Sequence, residues 1–284
     1  MKKDKLLVCT FSGGRTSAFM AKFLNTYDKY KDYDKLFLFA NTGKEREETL
    51  KFIDRCDKEW NLNIVWLEAK VNPEKRKGTK HKIVSYKTAS RNGEPFEDML
   101  KKYPIPTTFG SGCTRELKQR PMDSYIKTLG YKNVITAIGI RYDERHRKSI
   151  RAEETNTIYP LCDDLKVDSE FIRNWWDNQC FDLELKDYEG NCDLCFKKSI
   201  RKRLTIIKEN PNGADWWLKM ENEYKTERVP RFDLRSNKSI EDLINMSNYH
   251  FKIVKDKHEV QKKQGSLFDN VNMDFETDCF CKAN

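Results

Sequence analysis

Leu6-Leu7-Val8-Cys9-Thr10-Phe11-Ser12-Gly13-Gly14-Arg15-Thr16-Ser17-Ala18-Phe19-Met20-Ala21 is the stretch whose reading decides the fold. Its first six residues are an apolar run and read as a buried strand. From Ser17 through Leu24 the pattern is helical. Two glycines and three hydroxyl side chains lie between them. A strand, a Gly-rich turn and a helix N-terminus together form an anion site. Glycines let backbone approach the ligand, free N–H groups point at it, and the helix dipole favours negative charge. Arg15 adds a bidentate phosphate donor.

Strand and helix patterns alternate onward from this turn. Leu36 to Ala40 is a second buried strand, ending in Asn41-Thr42-Gly43. Arg46 to Trp60 follows as a helix, with Ile53, Cys56 and Trp60 on one face. Ile64 to Leu67 and Val134 to Ile140 are the third and fourth strands, and Thr157 to Leu161 a last short one. Such alternation implies parallel βαβ units in a doubly wound sheet. Ligands of these sheets sit beyond the carboxyl ends of the strands, where both glycine turns fall. Arg141 and Arg147 follow the fourth strand and face the same edge.

The remaining segments are read as connectors and helices. Residues 70–91 are strongly basic, with little apolar periodicity, and read as a mobile loop. Pro95 to Tyr103 is a short helix, and Pro121 opens another. Asp168 to Trp176 is a capped helix whose Phe171, Ile172, Trp175 and Trp176 form a core face. Beyond Gln179 the alternation stops. Helical stretches at 197–209, 213–225 and 239–246 give a smaller, mainly helical region, and Lys255 to Asn272 reads as loosely ordered. The division is a phosphate-binding α/β domain over 1–180 and a cysteine-bearing helical region over 181–284.

The chain has 284 residues, room for a sizeable core, and a net charge of +9, which suits an acidic partner such as a nucleotide or nucleic acid. No apolar stretch is long enough to span a membrane. The run after Met1-Lys2-Lys3 is cut short by Ser12-Gly13-Gly14-Arg15, which argues against a secretory leader and for a cytoplasmic protein. Nine cysteines, an odd number, favour reduced thiols and a metal over a disulfide framework. Cys192-x-x-Cys195 pairs with Cys279-Phe280-Cys281 to give four thiolates, a tetrahedral set for structural zinc, with an iron–sulfur cluster as the alternative. Cys9, Cys56 and Cys162 read as inert core thiols.

Four segments together resemble the PP-loop (adenine nucleotide α-hydrolase) superfamily, within it the phosphoadenosine phosphosulfate reductase-like branch. They are Ser12 to Ser17; Asn41-Thr42-Gly43 with Glu45 and Glu48; Cys113 with Lys118 and Pro121-Met122; and Gly139-Ile140-Arg141 with Glu144 and Arg147. Tyr159-Pro160-Leu161 also fits. The resemblance implies an adenine nucleotide across the strand ends. Ser12, Gly13, Gly14, Arg15, Thr16 and Ser17 would hold its phosphate or sulfate groups. Asn41, Thr42, Gly43 and Gly139 would border the pocket. Arg115, Lys118, Arg141 and Arg147 would supply positive charge, the last three as catalytic groups.

The implied cofactors are ATP or another adenine nucleotide, with Mg2+ beside it. Thr16 stands where the ATP-pyrophosphatase loop carries aspartate, and Thr114 follows Cys113 where iron–sulfur members have a second cysteine. The expected activity is cleavage at the α-phosphate, with adenylation of a nucleic-acid or small-molecule acceptor and release of pyrophosphate. Alternatives are a thiol-dependent sulfonucleotide reductase using Cys279 or Cys281, and a non-catalytic nucleotide or nucleic-acid binding module. Oligomeric state is not legible.

Overall fold

The computed structural model describes residues 4–256, apart from Lys75, Thr108, Ser111 and Asn191. Six strands form one sheet in the order β4-β3-β2-β1-β5-β6. They are β1 (Lys5–Thr10), β2 (Asp34–Asn41), β3 (Val65–Lys70), β4 (Lys80–Val84), β5 (Asn133–Ala137) and β6 (Thr157–Ile158). All pairings are parallel except β3 with β4. The doubly wound α/β expectation holds.

β1 shows why the sheet is covered on both faces. Successive side chains of a strand point to opposite sides. Leu7 and Cys9 enter one apolar cluster, and Leu6 and Val8 enter another. The first cluster is closed by α1 (Arg15–Thr26), α2 (Glu47–Trp60) and α6 (Ser169–Asp177), the second by α4 (Arg120–Leu129). In α2, Leu50, Phe52, Ile53 and Cys56 are the buried face, and Asn61 ends the helix in the left-handed conformation. In α6, Asp168 caps the helix by accepting from Phe171 N at 2.8 Å, and Trp176 is buried as expected of a core aromatic.

A third cluster gathers α3 (Glu94–Lys102), α7 (Ile200–Glu209), α8 (Asp215–Tyr224) and α9 (Ile240–Ser247). α9 begins with a reciprocal Ser239–Asp242 capping box. Phe181, Leu183 and Leu185 pack with the first cluster, while Phe96 and Met99 of α3 pack with the third. The remaining helix, α5 (Pro160–Asp163), is one turn.

Two expectations are corrected. Residues 70–91 are not simply a loop, because 80–84 form the antiparallel edge strand. Its alternation is masked by lysines, the residues that protect sheet edges. Lys82 Nζ lies 3.3 Å from Glu68 Oε2 on β3. The segment from Thr157 gives only a two-residue strand before Pro160 turns the chain into α5. Lys255 and Asp256 are the last described residues, so the loosely ordered segment read from there falls almost wholly outside them.

The strand order reverses at β1, with β2 on one side and β5 on the other. The crevice at the carboxyl ends of β1 and β5 is therefore the switch point of the sheet.

Candidate functional site

The loop after β1 enters that crevice. Gly13 has φ +82°, and a Cβ there would lie 2.5 Å from Thr49 Cγ2, so only glycine fits. Gly14 is the N-cap of α1 and offers no side-chain cap, and the first turn holds no acid. The first amides of α1 have no partner within the helix and carry its positive dipole end. Ser17 Oγ faces inward: it accepts from Ser12 N at 3.1 Å and Ser12 Oγ at 3.0 Å, and donates to Gly14 O at 2.9 Å. The two serines therefore brace the loop.

Arg15 lines the cavity but is not a free donor. Its Nε and one terminal nitrogen donate to Asp182 at 2.7 and 2.9 Å, and the latter also to Leu183 O at 2.6 Å.

The wall after β5 is built by Gly139 and Arg141. A Cβ on Gly139 would lie 3.5 Å from Ser17 Cα, so the chain passes close to the start of α1. Arg141 donates to Thr16 Oγ1 at 3.1 Å and forms a fork with Asp143 at 3.0 Å. That fork holds the Asp143 carboxyl below its ordinary range. Arg147 pairs with Glu144, which also lies 3.5 Å from Arg141.

Lys118 comes from a π-helical turn, Thr114–Gln119, that runs into α4. Such turns concentrate at functional sites. Its Nζ is 3.8 Å from Glu45 Oε1. Burial works against its charge, but Glu45 and the neighbouring Cys192, Cys113 and Cys195 outweigh burial and raise its pKa.

A cavity of about 590 Å3 brings together Ser12 to Ser17, Glu45, Lys118, Gly139, Arg141 and Arg147. Asn41, Thr42, Gly43 and Arg115 are not on its lining. Asn41 is buried, donating to Glu68 Oε1 at 2.8 Å and accepting from Gly43 N at 3.1 Å. Thr42 donates to Glu45 through its hydroxyl, and its N–H bonds Glu45 Oε2 at 2.8 Å. Thr42 thus holds Glu45, which is on the lining, while Asn41 and Gly43 bond to each other. Arg115 is turned to Glu116 at 2.8 Å.

Sequence reasoning missed Ser169, Arg173, Lys186 and Lys202, which also line the cavity. A signal for two of them was present. Ser169, Ile172, Arg173 and Trp176 fall at i, i+3, i+4 and i+7, one helical stripe with an arginine inside it. Trp176 Nε1 donates to Arg15 O at 3.0 Å and fixes that stripe against the loop.

Cys192 and Cys195 share a turn, with Cys195 N donating to Cys192 O at 3.2 Å. Burial pushes the Cys192 thiol up, and Glu45 adds to the effect. Burial likewise raises Cys113, reinforced by Cys195. Cys9 and Cys56 are buried and raised by the same cause, as inert core thiols should be. Among the described residues no group of three or more His, Cys, Asp or Glu is arranged to hold a metal. Cys279 and Cys281 lie outside the described residues. No described helix is long and apolar enough to cross a membrane.

The model of the family described as phosphoadenosine phosphosulfate reductase domain matches residues 6–167. An uncharacterized nin region protein of Escherichia phage lambda is 34% identical over 199 residues, covering 69% of this chain and 67% of that one. Two uncharacterized proteins of Methanocaldococcus jannaschii are 28% and 26% identical over 57% and 55% of this chain. The matches span only 34% and 27% of those two proteins.

Proposed function

The chain belongs to the phosphoadenosine phosphosulfate reductase domain family of the PP-loop superfamily, and from that premise we propose that it binds an adenine nucleotide and directs attack on its α-phosphate. One observation carries this reading. The loop at the start of α1 and the cations Lys118, Arg141 and Arg147 line the same cavity at the switch point of the sheet.

In the proposed reaction an acceptor nucleophile forms a bond to the α-phosphorus of ATP. The bond to the bridging oxygen breaks, pyrophosphate leaves with that electron pair, and the acceptor's proton passes to water. The α1 amides would hold the phosphate chain. Lys118 and Arg141 would stabilise charge on the equatorial oxygens, where fixed donors act without reorganisation. Arg147, whose side chain is 58% exposed, would hold the leaving group and release it to solvent. Mg2+ would neutralise part of the phosphate charge, and Asp143 and Glu144 are the cavity carboxylates paired with Arg141 and Arg147.

The acceptor is proposed as a nucleic acid or a small molecule with a nucleophilic oxygen, nitrogen or sulfur. For the thiols we infer zinc bound by Cys192 and Cys195 and completed by Cys279 and Cys281, with a role in tethering the tail. The described residues supply two of the four donors, from one turn, which suits a CxxC half-site.

The test is nucleotide binding by calorimetry, then pyrophosphate release with candidate acceptors. ATP binding that is lost in Arg141→Met supports the reading. Absence of adenine-nucleotide binding by the full chain overturns it. Sulfite release from a sulfonucleotide, abolished by Cys279→Ser or Cys281→Ser, would replace adenylation with thiol-dependent reduction. Elemental analysis of the full chain checks the metal: about one zinc per chain supports the tether, and iron with sulfide overturns it.

A further inference from the structure

Residues 70–91 hold eight lysines and arginines against one carboxylate, Glu74, and so carry +7 of the chain's net +9. The fold gathers them at one edge of the sheet, on the end of β3, on β4 and in the turns flanking β4. Lys70, Arg76, Lys77, Lys80, Lys82 and Lys87 are exposed. Two carboxylates from elsewhere pair with this segment, Glu68 with Lys82 and Glu47 with Arg91; counting both still leaves +5. Lys70, Arg76, Lys80 and Lys87 have no carboxylate partner among the described residues.

Lys70 and Lys80 are direct partners in the β3–β4 register, and Lys82 follows on the same face. Like charges placed opposite each other cost stability. The acid on that face is already engaged. Glu68 is buried and accepts from Asn41 Nδ2 at 2.8 Å, Ser90 N at 2.6 Å and Lys82 Nζ at 3.3 Å. Edge protection accounts for lysines on β4 itself, but not for the cations in the flanking turns. The approach to β4 is anchored: Lys102 of α3 donates to Asn72 O at 2.6 Å and to Lys77 O, and Thr79 Oγ1 donates to Glu116 at 2.6 Å.

We propose that this edge is a docking surface for a nucleic acid, gripped through its phosphodiester backbone. Lysines and arginines on phosphates are the main source of such binding, and they need no apolar anchor. A protein partner would call for a packed apolar or aromatic centre. Ile83 is the one large apolar side chain exposed on this segment among the described residues. The surface lies outside the cavity and goes beyond the nucleotide reading. Lys70 ends β3 at the carboxyl edge of the sheet, two strand spacings, about 10 Å, from β1. Glu116, which Thr79 meets, sits on the π-helical turn that carries Lys118 into the cavity. A strand held here is therefore the acceptor class the cavity can reach; this last step alone rests on the adenine-nucleotide reading.

The test is fluorescence anisotropy of the full chain with labelled single-stranded DNA, single-stranded RNA and duplex DNA of mixed sequence, from about 50 to 200 mM salt. Lys70→Gln/Lys80→Gln and Arg76→Gln/Lys87→Gln are compared with Lys208→Gln/Lys252→Gln, which removes the same charge from exposed positions of the helical region. Wild type should bind, with affinity falling steeply as salt rises. Each edge variant should bind about tenfold more weakly, with a salt slope shallower by about 0.7 to 0.9 per lost contact, while the control changes less than about twofold. Preference among the three probes names the form of nucleic acid, and equal binding supports readout of the backbone alone. Thermal melting checks folding: Lys70→Gln/Lys80→Gln removes a like-charge pair and should not lower Tm. The second edge variant keeps the test open if the first does not fold. No salt-dependent binding by wild type, or equal weakening in control and edge variants, overturns the surface. Poly-glutamate competing as well as the oligonucleotides at equal charge would assign the edge to an acidic polypeptide and overturn the nucleic-acid assignment. Pyrophosphate release from ATP that is stimulated by the bound nucleic acid and lost in the edge variants supports the acceptor step; ATP binding without stimulation overturns it. No ATP binding by wild type overturns the nucleotide reading and leaves the surface standing.

Discussion

Arg15 and Asp182, 167 residues apart, form a two-pronged ion pair with N···O distances of 2.7 and 2.9 Å. The arginine that reads in sequence as a phosphate donor also ties the glycine loop to the segment after α6. Under the proposed function the α1 amides would share the anion with it. The two side chains are only 19% and 29% exposed, so the pair is shielded from solvent and salt. A double-mutant cycle of Arg15→Met and Asp182→Asn in urea should give a coupling energy of about 1 kcal/mol. Additive single effects would mean that the pair holds nothing together.

The two loop glycines should fail differently. Gly13 needs φ +82° and has Thr49 against it, so Gly13→Ala should destabilise the fold by about 2 kcal/mol. Gly14 is extended, at φ −104°, and a Cβ there meets nothing nearer than Ser12 Oγ at 4.0 Å. Gly14→Leu should fold with near-native stability but fill the anion site and abolish nucleotide binding. Melting curves and calorimetry on both variants check this. Unchanged affinity in Gly14→Leu would sink the phosphate-loop reading.

Much of the fold was legible because its signals are local. The apolar runs of β1 and β2, the cap Asp168, and Pro121 at the start of α4 each act within a few residues. β4 was not legible, since an edge strand protected by lysines lacks the alternation that marks a half-buried one. Within the site, positions following strand ends could be placed on one edge. The partners of each cation could not, because pairs such as Arg15 with Asp182 depend on how distant segments pack. Thr42 and Gly43 illustrate the same limit: their turn sits at the strand end as expected, yet its hydrogen bonds go to Glu45 and Asn41.

Thr16 offers a direct probe of the loop chemistry. Its hydroxyl accepts from Arg141 at 3.1 Å, at the first turn of α1. Thr16→Asp would place a carboxylate there, pairing with Arg141 and repelling phosphate. Without divalent metal, nucleotide affinity should fall about tenfold, or about 1.4 kcal/mol. Added Mg2+ should restore more affinity in the variant than in wild type, because the new carboxylate can share the ion with phosphate. Equal affinities without metal would show that Thr16 and Arg141 do not face the ligand.

The helical region has its own buried ion pair. Arg203 of α7 and Asp233 are bonded with side chains only 1% and 6% exposed, and Asp233 also accepts from Ser236 N at 3.1 Å. Two other Arg203 nitrogens have no partner among the described residues, so the guanidinium depends on this carboxylate. Asp233→Asn should therefore cost about 3–5 kcal/mol, the usual penalty for stranding a buried charge. Burial alone would raise the Asp233 pKa, but the bonds from Ser236 and Arg203 outweigh it and the pKa is lowered. The sign follows: the folded state binds the proton less readily than the unfolded one. The pair's contribution is then full above the unfolded aspartate pKa of about 4 and is lost as pH falls through the folded value. Urea melts from pH 7 to pH 3 should show wild type losing stability toward Asp233→Asn at the acid end. Parallel curves for the two proteins across that range would refute the pair as the source.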